Sequence, residues 1–168
     1  RRVLFRSQTD RMTRDPGWRL LTVGRLIERL AGFSAFLKAF WQADALQQAQ
    51  GFDQILHLFD STITFRSRFQ RRLDRQALVA LLVLDENNPR ALACVLRRLR
   101  TELSKLPMRA ERDESLVGLL PNEGVGATLS ELCDPEYGSA RVLTLLNRLI
   151  DISWRLSDEV GLRYFAHA

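Results

Sequence analysis

The 168-residue chain is 46% apolar and carries a formal charge of +5, from 25 Lys and Arg against 20 Asp and Glu, which is enough for one buried core and about the size of a single domain. Its longest uninterrupted apolar run, Ala77 to Leu84, is eight residues, far short of the about 20 that an α-helix needs to cross a bilayer. Cys94 and Cys133 stand alone without a CxxC pair, which argues against a disulfide framework or a local zinc site, and the expected compartment is the cytoplasm.

Arg1 to Ser7 read RRVLFRS, the in-frame conceptual translation of a common sequencing-library adapter. Native sequence is therefore expected to begin near Gln8, with residues 8–168 forming the C-terminal part of one helical domain. Setting aside Arg1, Arg2 and Arg6 takes the 25 basic residues to 22 against 20 acidic ones, and the charge from +5 to +2. That near balance ranks a nucleic-acid partner last, because phosphate binding calls for a marked basic excess on one face.

Asp15 and Pro16 are a cap and first-turn signal. From there Leu20, Val23, Ile27, Leu30, Ser34, Leu37 and Trp41 trace one face of a helix ending near Ala45, with Gly24 and Gly32 inside it as expected points of close helix contact. A second helix is expected from Phe52 to Arg72. If its register continued, Arg68, Arg71, Arg72 and Arg75 would share one solvated face. A third, Asp74 to Leu84, is almost wholly apolar and belongs in the centre of a bundle.

Leu81 to Arg90 read LLVLDENNPR. Pro89 cannot donate a backbone hydrogen bond and disfavours helical geometry at Asn88, so one helix should stop at Leu84 and another start at Pro89 with Asn88 as its cap. That fourth helix runs to about Leu106, where Pro107 ends it. There is room for one or two short helices, at Glu111 to Leu120 and Ala127 to Cys133, and a last long one is expected from Ser139 to about Phe165. The fold class is all-α, an antiparallel helical bundle of about five main helices, truncated at its N-terminus.

Chemistry-bearing residues concentrate at Asp85, Glu86, Asn87 and Arg90, at Arg66 and Arg68, and at Arg25, Glu28 and Arg29. Glu28 lies at the border of the apolar face, where a carboxylate needs a partner such as Arg25. No E-x-x-H pair, P-loop or nucleophile with a histidine at motif spacing is present, so no metal and no cofactor is implied. Two arrangements remain open. Glu28, Asp85 and Glu86 could converge with arginines in a cleft that binds a peptide, a carboxylate or a phosphorylated intermediate, or the same residues could form a capping and ion-pair network.

TRDPGWRLLTVGRLIER (Thr13 to Arg29), ITFRSRF (Ile63 to Phe69), LLVLDENNPRALACVLRRL (Leu81 to Leu99) and RYFAH (Arg163 to His167) together resemble the alpha-E family, a bacterial all-helical family. The resemblance covers Gln8 to Ala168. It implies partners: an ATP-grasp ligase, circularly permuted, and a transglutaminase-like cysteine protease, in a setting of peptide or amide-bond synthesis. It also implies that Arg25, Glu28, Arg29, Asp85, Glu86, Asn87 and Arg90 match the family's polar motifs. Where tyrosines are expected in relatives, this chain has Phe65 and Phe69, which points to packing there. The expected function is a non-catalytic accessory protein of such a ligase system, with an enzyme of the same pathway as the alternative.

Overall fold

The computed structural model of the protein describes residues 15–69, 73–107 and 115–165. Helix α1 (Pro16–Gln42) starts where the Asp15 side chain accepts the Trp18 N–H at 2.8 Å. That satisfies one orphan donor, and Pro16 occupies a first-turn position where its missing N–H costs nothing. α5 (Leu92–Leu103) and α7 (Gly138–Tyr164) pack on either side of α1. Both run antiparallel to it. Arg19 near the start of α1 lies 3.6 Å from Glu102 at the end of α5, and the Trp41 indole N–H at the end of α1 donates to Ser139 Oγ at the start of α7. Val23, Leu30, Leu96, Leu99, Leu146, Leu149 and Leu156 lie fully buried between the three helices, each contributing about 1.5–3 kcal/mol of burial.

The helix expected over Phe52 to Arg72 is two, α2 (Ala49–Leu58) and α3 (Thr62–Arg68). Asp60 takes left-handed backbone between them, at φ 47°, and Ser61 Oγ donates to the Phe59 carbonyl at 2.9 Å. Phe59 and Ser61 are both buried. In one continuous helix they would point about 200° apart, so the corner is what turns both inward. The four-arginine stripe does not run along one helix either: α3 ends at Arg68, Arg75 opens the next helix, and Arg71 and Arg72 lie outside the described residues. Phe65 packs between the rings of Phe52 and Phe69, with centroids 5.3 and 5.2 Å away.

α4 (Arg75–Val79), capped by Asp74 on the Ala77 N–H at 3.0 Å, widens into a π turn over Ala80–Leu84. The following helix begins at Leu92 rather than Pro89, so Asn88 is not its cap. Asn88 closes the corner instead. Its Oδ1 accepts the Arg90 N–H at 3.1 Å, its carbonyl accepts the Ala91 N–H at 2.9 Å, and its Nδ2 donates back to the Leu81 carbonyl at 3.0 Å.

Of the two short helices expected next, the first is a 3-10 turn at Leu116–Leu119, residues 111–114 lying outside the described ones. The second is α6 (Leu129–Leu132), opened by a reciprocal capping box between Thr128 and Glu131. Gly24 and Gly32 are not close-contact points, since a side chain at either would meet nothing within 4 Å. The tight approaches fall on Gly51, against the Ala45 carbonyl, and on Gly138, where a Cβ would sit 2.7 Å from the Leu132 carbonyl oxygen. Among the described residues there is no strand, and no helix is long and apolar enough to cross a membrane. The architecture is an antiparallel all-α bundle.

Replacing Asn88 with Ala unpairs the Leu81 carbonyl and the Arg90 N–H and is expected to lower unfolding free energy by about 1–3 kcal/mol. The measurement is the urea midpoint at unchanged m-value; a midpoint equal to the parent's would show that these contacts carry no stability.

Candidate functional site

The corner between the π turn and α5 is organised by Asp85. Its Oδ1 accepts the Asn87 and Asn88 N–H groups at 2.8 and 3.2 Å, and its Oδ2 accepts from Arg68 of α3 at 2.5 Å. Burial by itself would push this carboxyl up, but the Asn87 N–H, the Arg68 guanidinium and the Asn88 N–H outweigh it and hold it below the ordinary value of 3.8. A carboxylate ionised and occupied in this way is an anchor, not a proton carrier. Arg90 pairs with Asp60 of the α2–α3 corner at 3.1 Å, and Arg97 donates to the Glu86 carbonyl at 3.0 Å. The side chains of Glu86 and Asn87 are exposed. Arg66 lies 3.9 Å from Asp53 on open surface.

The residues singled out on α1 separate into two grooves. Glu28 is exposed rather than turned inward, and with Arg25 it borders a groove of about 690 Å³ between α1 and α7, floored by Gly24, Val160 and Gly161. Arg29 lines a second groove of about 500 Å³ between α1 and α5, with Thr22, Arg25, Arg97 and Arg98. Burial, and then the charges of Arg90 and Arg98, lower the pKa of Arg29 below the ordinary guanidinium value, with Cys94 opposing. It stays a cation at neutral pH. Among the described residues no carboxylate pairs with it: Glu102 in the same groove lies 3.6 Å from Arg19 and 2.9 Å from Lys105, and its buried Oε2 has no hydrogen-bond partner.

The fold thus joins Arg68 to Asp85 and brings Arg29 near Arg90. No hydrogen bond or ion pair links Glu28 to Asp85 or Arg25 among the described residues. Asp60, Arg97 and Arg98 belong to the arrangement and were not among the expected site residues. Arg97 and Arg98 are adjacent basic residues in the sequence, but which groove they face depends on α5 lying antiparallel to α1. A partly desolvated arginine with no carboxylate paired to it, as Arg29 is among the described residues, is chemically suited to accept carboxylate or phosphate oxygens.

A family model described as a predicted alpha-helical domain with a conserved ER motif matches residues 4–165. The chain belongs to the Alpha-E family. Its ER dipeptides are Glu28–Arg29 and Glu111–Arg112, the second lying outside the described residues. In the first, the Alpha-E helix α1 sends glutamate and arginine to different grooves. Similar curated proteins are uncharacterized proteins from two strains of Mycobacterium tuberculosis and from Mycobacterium bovis, each 32% identical over 101 residues. The match covers 58% of this chain but 11% of those relatives, so the Alpha-E chain spans only a small part of their length. No solved structure matches it. Among the described residues no group of three or more His, Cys, Asp or Glu could hold a metal ion.

Because the folded pKa of Asp85 lies below its unfolded value, its ionised form stabilises the fold above about 3.8 and that contribution is lost as pH falls through the lower folded value. Asp85→Asn is expected to cost about 1–3 kcal/mol at neutral pH, with the gap to the parent closing in more acidic solution. Urea unfolding across pH checks this, and a gap independent of pH would remove the charge from the explanation.

Proposed function

We propose that this chain is a non-catalytic accessory module of an amide- or peptide-ligase system, in which the α1–α5 groove holds a carboxylate or phosphate group of the substrate. The observation that carries the reading is Arg29, partly buried beside Arg90 and Arg98 with no carboxylate partner among the described residues. An arginine that is desolvated without a fixed partner gains most from an incoming anion, which it can grip through two parallel hydrogen bonds. The carboxylates support a binding role over an enzymatic one. Asp85 is consumed by backbone N–H groups and Arg68, and Glu28 lies on another groove without a link to it among the described residues. The partners in this reading are an ATP-grasp ligase and a transglutaminase-like protein, the setting implied by the family resemblance.

The test is product formation by a neighbouring ATP-grasp ligase in the presence of the full-length protein. Arg29→Gln is expected to lower it by about tenfold or more, the loss of one charged hydrogen-bonded contact. Glu28→Gln and Asp85→Asn, once their folding is verified, are expected to leave turnover close to that of the parent. Abolition of turnover by either carboxylate change, with substrate binding intact, would replace this reading by an enzyme using the Glu, Asp and Arg cluster.

A further inference from the structure

Between α7 and the 3-10 turn at Leu116–Leu119 lies a groove of about 700 Å³, bordered by Asn122, Asn147, Arg148, Asp151 and Arg155. One wall is α7, on which Arg148, Asp151 and Arg155 follow at spacings of three and four and so occupy a single stripe. The other wall is fixed in place. Leu120, Pro121 and Val125 are buried, and Arg100 of α5 donates to the Pro121 carbonyl.

Asp151 is placed to neutralise either arginine, at i−3 or i+4. Yet none of the three makes an ion pair or side-chain hydrogen bond among the described residues. The groove therefore presents a cation, an anion and a cation in order, with the two arginines about 10.5 Å apart along the helix axis. Its complement is an anion, a cation and an anion over a similar span. A simple inorganic anion satisfies one arginine and is repelled by Asp151, and a nucleic-acid backbone meets the same repulsion at the centre. A short acidic peptide with a free amino terminus supplies every element: an ammonium for Asp151, carboxylates for Arg148 and Arg155, and backbone amides for Asn122 and Asn147.

We propose that this groove binds a short acidic peptide through its free amino group and its carboxylates. It shares no residue with the α1–α5 groove and stands whether or not that groove binds an anion.

Calorimetric titration of the full chain with triglutamate, N-acetyl-triglutamate and trilysine tests it. Triglutamate is expected to bind, and Arg148→Gln and Arg155→Gln are each expected to weaken it by about fivefold or more. All three charged positions are exposed, so the variants keep the fold, verified by circular dichroism. Acetylating the amino terminus is expected to weaken binding to the parent but not to Asp151→Asn, and trilysine is expected to give no binding. Equal affinity of free and acetylated triglutamate, unchanged affinity in the double arginine variant, or no binding at millimolar triglutamate would each overturn the proposal.

Discussion

The fold depends on closing a polar corner inside an apolar stretch. Ala77 to Val83 and Ala91 to Leu96 are buried on almost every side, so the chain must reverse between them without leaving backbone groups unpaired, at a cost of about 1–3 kcal/mol for each one left so. Asn88 meets that demand from both directions. Its amide reaches back to the Leu81 carbonyl and its oxygen forward to the Arg90 N–H, while Asp85 takes the N–H groups of Asn87 and Asn88. Arg68 and Arg97 then tie the corner to α3 and α5. The density of polar residues there is explained first as mechanical closure.

That closure changes what the acidic residues can do. A carboxylate used to hold a turn is unavailable for proton transfer, and Asp85 is held low for that reason. Arg29 is different, because a guanidinium carries five donors and among the described residues none of them is paired with a carboxylate, while Arg90 and Arg98 lie close enough to lower its pKa. In the binding role proposed for the α1–α5 groove the working group is therefore the cation Arg29, while Asp85 holds the corner in place.

Much of the fold was legible from local signals. Asp15–Pro16 marked the start of α1 and Asp74 that of α4, because a cap needs only its own side chain and the next three residues. The buried face of α1 followed from its period, with Val23, Ile27, Leu30, Ser34, Leu37 and Trp41 all buried. Three features were not legible. In the all-apolar run ending at Leu84 no polar residue marks an outward face, so the π turn left no trace in the pattern. Asp60 and Ser61 between two phenylalanine-bearing segments read as interior positions of a helix, although the burial of both Phe59 and Ser61 required a break. Glu28 was placed at a border by helix geometry alone, and which neighbour faces that border is a property of the packing.

The sequence by itself determined the all-helical class, the family, the starts of α1 and α4 and the buried face of α1, because these rest on spacing within a few residues. Only the tertiary structure decided that Glu28 and Arg29, adjacent in the chain, serve different grooves, and that Arg29 meets Arg90 of the corner and Cys94 and Arg98 of α5, all more than 60 residues away. Consecutive helical residues diverge by about 100°, so in a bundle with neighbours on both sides each is assigned its surroundings by whichever helix lies along that direction.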